Sequence, residues 1–264
     1  MSYRVPTVAV AVVTLLALSA GARARSAALT VVQGGCADVF KGQVCTSSTM
    51  NGTSLVEVGA VIPMASIENA PAEMPMEWPP VPTAVIELPE AVRQQAGFTR
   101  LSVDWNAGGH PPAAFLTPHF DFHYYLIPGP EIAAIDCKHE DKPAALPSGY
   151  TLPDIPLPPD MAGMMGVSTL VGLCVPKMGM HAVLTTEVAR TDAFEGTMVI
   201  GYYKGTPIFI EPMISKAMLM KKASFDLPIP NVPGLKGSRP TKFHAEYDTA
   251  RRDYRFTLSG FRPA

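Results

Sequence analysis

The chain has 264 residues, of which 47% are hydrophobic and 17% are charged, and it contains 27 prolines and 21 glycines. These proportions are sufficient for a buried core and predict many constrained turns. The formal net charge of −2 argues against a nucleic-acid-binding protein, because binding to phosphates requires clustered Lys and Arg.

Residues 1–24 have the pattern of a cleaved secretory signal peptide. Arg4 supplies a positive charge, residues 8–18 (VAVAVVTLLAL) are apolar but too few to cross a bilayer comfortably, and small residues follow. An uncleaved N-terminal anchor is the alternative. Cleavage would leave residues 25–264 as a single β-rich domain, periplasmic or extracellular, with no stable membrane insertion. Loss of Arg4 and Arg23 leaves 19 basic residues against 23 acidic ones, a net charge of −4.

Four cysteines support export. An even number of cysteines in an exported chain predicts disulfides. Three pairings exist, and we favour Cys36–Cys45, which closes a short loop, with Cys137–Cys174, which spans a Pro-rich segment. A cysteine metal site is disfavoured because the chain has no C-x-x-C motif.

The first half of the chain predicts short strands separated by constrained turns. Strands are expected over residues 54–62, 83–88 and 98–105, with a Pro- and Met-rich connector over residues 63–82. A short helix over residues 89–96 is expected because Pro89 stands at its start and Gly97 at its end.

The second half predicts more β-structure. Residues 129–136 indicate one or two helical turns, and residues 143–165 are too rich in Pro for a helix or a central strand, so they should lie extended on the surface. Hairpins are expected over residues 196–212 and 242–261, with an amphipathic helix over residues 214–222. The predicted fold class is mainly β, an antiparallel barrel or curled sandwich with a few short helices.

The stretch TPHFDFHYYLI, residues 117–127, carries the clearest chemical signal. Alternate residues of a strand share a face, so His119, Asp121 and His123 point one way and the intervening aromatic residues point the other. Two imidazoles and a carboxylate on one face are good ligands for a transition metal. A hydrogen-bonded network without metal is the alternative interpretation.

The strand alone cannot bring both imidazoles to one ion. His119 and His123 should lie about 13 Å apart at a rise of about 3.3 Å per residue, so further ligands must come from elsewhere. His181 follows a glycine, and Glu211 lies in an apolar strand where an unpaired carboxylate would be costly to bury. His110, in GGHPP, is a further candidate.

Methionines near His181 suggest copper as a second option. Thioether sulfur is a soft ligand, although Met more often fills gaps in a core. The residues concerned are Met161, Met164, Met165, Met178 and Met180.

Three long motifs resemble one known family. DWNAGGHPPAAFLTPHFDFHYYLI, KMGMHAV and GYYKGTPIFIEPMIS are similar to a family of exported bacterial proteins without an assigned function, whose type member is a Thermus extracytoplasmic protein. The resemblance covers residues 100–220 and implies export and a β-rich fold, but no chemistry. The part beyond residue 222 and the cysteine pairs are less typical of the family. The shared motifs contain His110, His119, His123, His181 and Glu211.

The sequence therefore supports three hypotheses. The first is a site for a divalent metal, by default zinc, with His119, His123, His181 and Glu211 as ligands and with Asp121 and His110 in support or as substitutes. If the protein is an enzyme, metal-bound water would act on a small-molecule substrate with Glu211 or Asp121 as general base. The second is a non-catalytic copper- or zinc-binding protein or envelope-stress binding protein. The third is a metal-free homo-oligomer built on exposed strand edges.

Overall fold

Two antiparallel β-sheets packed face to face form the body of the protein. The computed structural model describes residues 28–75 and 77–263 together with Met1, so the predicted signal peptide otherwise lies outside the described residues. Within those ranges the strands form a sandwich and do not close into a barrel. This confirms the mainly β prediction and selects the sandwich from its two alternatives.

The first sheet has six strands in the order β1-β2-β3-β16-β15-β13. Its strands are β1 (Leu29–Val39), β2 (Gly42–Asn51), β3 (Ser54–Pro63), β13 (Phe225–Pro228), β15 (Lys242–Asp248) and β16 (Asp253–Ser259). The second sheet has seven strands in the order β4-β5-β6-β12-β11-β10-β7. Its strands are β4 (Ala84–Glu87), β5 (Arg100–Asn106), β6 (His119–Tyr125), β7 (Tyr150–Thr151), β10 (Met180–Leu184), β11 (Gly196–Tyr203) and β12 (Thr206–Ser215).

The remaining elements are short. Two two-stranded sheets pair β8 (Ile155–Pro156) with β9 (Thr169–Leu170), and β14 (Ser238–Arg239) with β17 (Arg262–Pro263). The helices are α1 (Met64–Glu68), α2 (Glu90–Ala96), α3 (Gly129–Ala133), α4 (Pro159–Met165), α5 (Thr185–Ala189) and α6 (Lys216–Met220).

The residues that we expected to form turns and helix ends do so in the structure. Gly97 ends α2 in the left-handed conformation (φ 78°). Lys204 and Gly205 both have positive φ in the tight turn between β11 and β12. The hairpins and the helices α2, α3 and α6 therefore lie where the sequence predicted them.

Two Pro-rich segments contain helices that we did not predict. Helix α1 lies inside the expected connector 63–82, and α4 lies inside residues 143–165, which we expected to be extended. Pro158 precedes α4 and Pro159 occupies its first turn, where the missing N–H has no hydrogen bond to lose. The prolines of this segment start the helix instead of breaking it, and Gly166 ends it with φ 71°.

The main hydrophobic core lies between the two sheets. From β6 it receives Phe120, Phe122 and Tyr124, all of them buried. The Phe122 ring meets Phe256 of β16 edge to face at 4.9 Å between centroids. Because side chains alternate, the other face of β6 points away from the six-stranded sheet. We call that side of the seven-stranded sheet its outer face.

Connecting segments cover the outer face. Phe115, Ile135 and Phe194 pack there with Phe209 of β12 in a second apolar cluster. The disulfide Cys137–Cys174 joins two of these segments, and Cys36–Cys45 joins β1 to β2, so both predicted disulfides are confirmed. No helix among the described residues has the length and apolar character needed to span a bilayer.

Candidate metal centre

The outer face of β6 carries its polar side chains into a buried layer. All seven residues of β6 are buried, including His119, Asp121 and His123. The polar face of this strand is therefore not in contact with solvent, because the second apolar cluster and its connecting segments cover it. Buried imidazoles and carboxylates need partners, and the structure supplies them from four other segments.

Three ligand candidates meet at the beginning of β6. We call His110, His119 and Asp121 the His110 trio; one ligand atom from each lies within 4.8 Å of the others. His119 Nε2 is 3.3 Å from Asp121 Oδ1, and His110 Nε2 is 3.8 Å from Asp121 Oδ2. Gly109, with φ 70°, turns the chain tightly so that His110 N donates to the carbonyl oxygen of Phe115. This turn places the His110 ring over β6.

A second trio meets further along the same strand. We call His123, His181 and Glu211 the His123 trio, and its ligand atoms also lie within 4.8 Å of one another. His123 Nε2 is 3.6 Å from Glu211 Oε2. The His123 and His181 ring centroids are 5.9 Å apart. Sheet register explains the meeting of His123 and Glu211, because β6 and β12 are neighbours.

Gly201 of β11 allows His181 to join this trio. It pairs with His181 of β10 on one side and with Phe209 of β12 on the other. A Cβ atom at position 201 would overlap the Phe209 ring. The ring therefore occupies the space above the glycine, and it contacts both His181 and His123, at 5.2 and 4.8 Å between centroids.

Every imidazole of the two trios is held through its Nδ1 atom. The acceptors are Pro111 O for His110 (2.8 Å), Thr117 O for His119 (2.7 Å), Leu173 O for His181 (3.0 Å) and Asp104 Oδ2 for His123 (3.0 Å). A carbonyl or carboxylate oxygen can only accept, so Nδ1 carries the hydrogen in each ring. Nε2 of a neutral ring then presents its lone pair to the trio, as metal-binding histidines do.

Several buried atoms that face the trios have no hydrogen-bond partner among the described residues. They are His119 Nε2, Asp121 Oδ1, His123 Nε2, Glu211 Oε2 and Asp104 Oδ1. Buried polar atoms are normally paired, so each such atom needs an explanation. A metal ion would explain the four that belong to the trios, because all four are potential ligand atoms.

Polar residues of β5 support the trios from the neighbouring strand. Asp104 pairs with Asp121 across the strands and also accepts from Ser102 Oγ at 2.9 Å. Asn106 Nδ2 donates to Asp121 Oδ2 at 2.7 Å. Our sequence reasoning did not include Ser102, Asp104 and Asn106 in the site. Their spacing was the available signal, since they alternate with Leu101, Val103 and Trp105 along one strand.

Electrostatics separate the histidines into two kinds. Burial lowers the pKa of His119 to about 4 and that of His181 to about 3, so both rings are neutral at pH 7. Burial also opposes charge on His123, but the negative charge of Glu211 and the hydrogen bond to Asp104 outweigh it and raise the pKa of His123 to about 9. Burial is likewise outweighed at His110, where Asp121 raises the pKa above its usual range.

The carboxylates also differ. Burial raises the pKa of Glu211 well above its usual range, and the charges of Asp121 and Asp104 add to the effect. Burial acts in the same direction on Asp121, but His119 and His110 outweigh it and hold the pKa of that carboxyl below its usual range. Three buried carboxylates thus share one face with four imidazoles and, among the polar contacts described above, no Lys or Arg. Protons or metal cations must supply the positive charge.

The donor sets fit a borderline divalent ion. Each trio offers two imidazole nitrogens and one carboxylate oxygen, a combination that binds zinc in proteins. The single site that we predicted is divided between two places. His119 and His110 lie with Asp121, whereas His123, His181 and Glu211 lie together. His119 and His123 therefore do not share an ion, as their predicted separation along the strand required, and each takes its further ligands from other segments.

The two trios differ in their access to solvent. The side chain of His110 is 33% exposed, whereas those of His119, His123 and Glu211 are at most 1% exposed. Met180 packs in the core between the sheets, on the other face of β10 from His181, and α4, with Met161, Met164 and Met165, contains no buried residue. Met180 therefore points away from His181, and the three methionines of α4 are not part of the buried layer that contains it.

No family model, curated protein or solved structure matches the chain. The resemblance to the Thermus-type family of exported proteins stays a prediction. The buried His/Asp/Glu groups could hold metal ions.

Proposed function

We propose that the protein is an exported metal-binding protein that holds a divalent ion, zinc by default, at each of the two trios. The observation that carries the proposal is the arrangement of the four imidazoles. Each is fixed through Nδ1, the ligand atoms of each trio converge, and in each trio one buried Nε2 atom and one buried carboxylate oxygen have no hydrogen-bond partner among the described residues. A network without metal would leave those buried atoms unpaired, at a cost of about 1–3 kcal/mol for each.

Charge supports the same proposal. Asp104, Asp121 and Glu211 are all buried on one face of the sheet. Two divalent ions would neutralise these carboxylates and leave the positive charge that a bound hydroxide or other anion can balance. The two disulfides fit export, because disulfides form in oxidising compartments.

Metal analysis of protein made without a polyhistidine tag tests the proposal. We expect about two zinc ions per chain after equilibration with micromolar zinc, about one in His123→Ala, and about two in His139→Ala, whose imidazole is exposed and outside both trios. The control removes a histidine without touching either trio. Failure of the wild-type protein to retain zinc against dialysis would contradict the proposal.

Copper is a second candidate ion, and one observation favours it. Met213 of β12 lies opposite Asp121 in the register of the sheet, and it is buried on the outer face beside both trios. A thioether at that position is a soft ligand that prefers Cu(I) to zinc. Anaerobic equilibration of the protein with Cu(I) and with zinc, with both disulfides intact, followed by metal analysis of wild type and Met213→Leu, separates the two. Loss of a bound ion from the Leu variant would identify copper as the ion bound there.

A further inference from the structure

We infer that the two ions have different roles: the ion of the His110 trio accepts an external ligand, and the ion of the His123 trio does not. The inference rests on the proposed function, because it needs both trios to bind metal. The two trios differ in their access to solvent. His110 brings one third of its side chain to the surface, while His123 and Glu211 are 1% exposed and Phe209 packs against the rings of His123 and His181.

A groove of about 530 Å³ passes close to the His110 trio, and Asn106 and Gly109 are among the residues that line it. Asn106 donates to Asp121 and Gly109 precedes His110, so both lining residues adjoin members of the trio. The walls also contain the apolar side chains of Val81 and Trp105 and the polar side chains of Glu77 and Thr83.

In zinc proteins, sites that differ in their access to solvent also differ in function. Structural zinc sites are closed, whereas catalytic ones have three protein ligands and leave a position for water or substrate. The His110 trio supplies three protein ligands and lies close to a groove. This is the arrangement of a catalytic zinc site. The fitting ligand is a small molecule with an apolar body and an oxygen donor, such as a carboxylate or a carbonyl group.

The same position would hold a water molecule when no ligand is bound. A divalent ion lowers the pKa of bound water, so this water is the group of the protein best suited to act as a nucleophile. Asp121 belongs to the trio as a ligand, so Asp121 is not free to act as the general base on this water. The His123 trio then has a structural role, since it joins β6, β10 and β12 within the sheet.

Cobalt substitution with azide as the probe tests the inference. Co²⁺ occupies zinc sites and has visible absorption bands that change when an exogenous ligand binds. We expect azide to change the cobalt spectrum of His181→Ala, in which only the His110 trio is intact. It should leave the spectrum of His119→Ala unchanged, because only the His123 trio remains. Equal responses of the two variants to azide, or a response of His119→Ala alone, would overturn the inference.

The wild-type protein provides a second measurement that does not depend on how the variants fold. Transfer of zinc to a chromophoric chelator should proceed in two phases of equal amplitude, a fast one from the open trio and a slow one from the closed trio. A single phase that releases both ions would overturn the inference while the bound zinc itself upholds the proposed function. Absence of bound zinc would instead reject the proposed function.

Discussion

The Asp104 carboxylate lies behind His123 and fixes the orientation of its ring. Asp104 Oδ2 accepts from His123 Nδ1 at 3.0 Å and from Ser102 Oγ at 2.9 Å, and all three side chains are buried. The contact places the hydrogen on Nδ1 and leaves Nε2 for a metal ion. Partners of this kind also increase the basicity of the ligand. Asp104 should therefore matter for metal affinity although it lies outside the trio.

We predict that Asp104→Asn weakens zinc binding at the His123 trio by roughly 10- to 100-fold, the usual effect of removing such a partner. The amide keeps the size of the carboxylate but loses its charge. Competition with a chromophoric chelator measures the affinity. The matched control is Asp226→Asn, because Asp226 makes the same Nδ1 contact, at 2.8 Å, with His244 on the exposed surface. Equal affinities of the two variants would show that Asp104 does not support the ligand.

The Cys137–Cys174 disulfide acts at the level of the connecting segments. Cys174 follows Leu173, whose carbonyl oxygen accepts from His181 Nδ1 at 3.0 Å. Leu173 and Cys137 both have positive φ, 51° and 59°, in the region that residues other than glycine rarely adopt. Such backbone needs support from its surroundings, and the disulfide provides it. The covalent link therefore helps to hold the group that orients His181.

We predict that Cys137→Ser/Cys174→Ser weakens zinc binding at the His123 trio at least 10-fold and leaves the His110 trio unchanged. Its control is Cys36→Ser/Cys45→Ser, which removes the disulfide between β1 and β2 at the edge of the other sheet. The two disulfides close loops of 37 and 9 residues, so their removal should cost about 4 and about 3 kcal/mol of unfolding free energy in the chain-entropy account.

Both variants should thus lose stability by similar amounts, and only one should lose zinc affinity. Chemical denaturation gives the first quantity, and chelator competition at a temperature where both variants are folded gives the second. If the two variants bound zinc equally well, the position of Leu173 would not depend on its neighbouring disulfide.

For the molecule as a whole, the alternation of side chains along strands was the sequence feature that predicted the structure correctly. The period of two assigned Phe120, Phe122 and Tyr124 to the core, and turn residues such as Gly97 and Gly205 marked element ends. Helix α4 was missed because proline is unfavourable inside a helix but not in its first turn. The strands β1 and β2 were not predicted either, since their many small polar residues lack a clear alternating pattern.

The division into two trios could not be derived from the sequence. It depends on the register of β6 with β12 and on the order of the strands in the sheet, which are long-range properties. His181 reaches its place because of Gly201, which stands two strands away from β6. The contribution of β5 was detectable in principle, because Ser102, Asp104 and Asn106 share a face, but a polar face on a strand usually indicates solvent.

The balance of buried charges makes the stability of the metal-free protein depend on pH. The pKa of His123 is about 9 in the folded protein, against an ordinary value of 6.5, because Glu211 and Asp104 outweigh burial. A raised pKa stabilises the folded state fully below pH 6.5, and this stabilisation is lost as the pH rises towards 9. The raised pKa of His110 acts in the same direction.

Zinc replaces these protons, so its stabilising effect should increase with pH. We predict that the difference in Tm between zinc-loaded and chelator-treated protein widens from pH 6.5 to pH 9, measured by calorimetry at constant ionic strength with stoichiometric zinc. Most of the widening should come from a decreasing Tm of the metal-free form. His244→Asn should behave as wild type, because His244 lies on the exposed surface. A difference in Tm that stays constant over this range would mean that zinc does not displace a proton from His123, and that the ion is bound elsewhere.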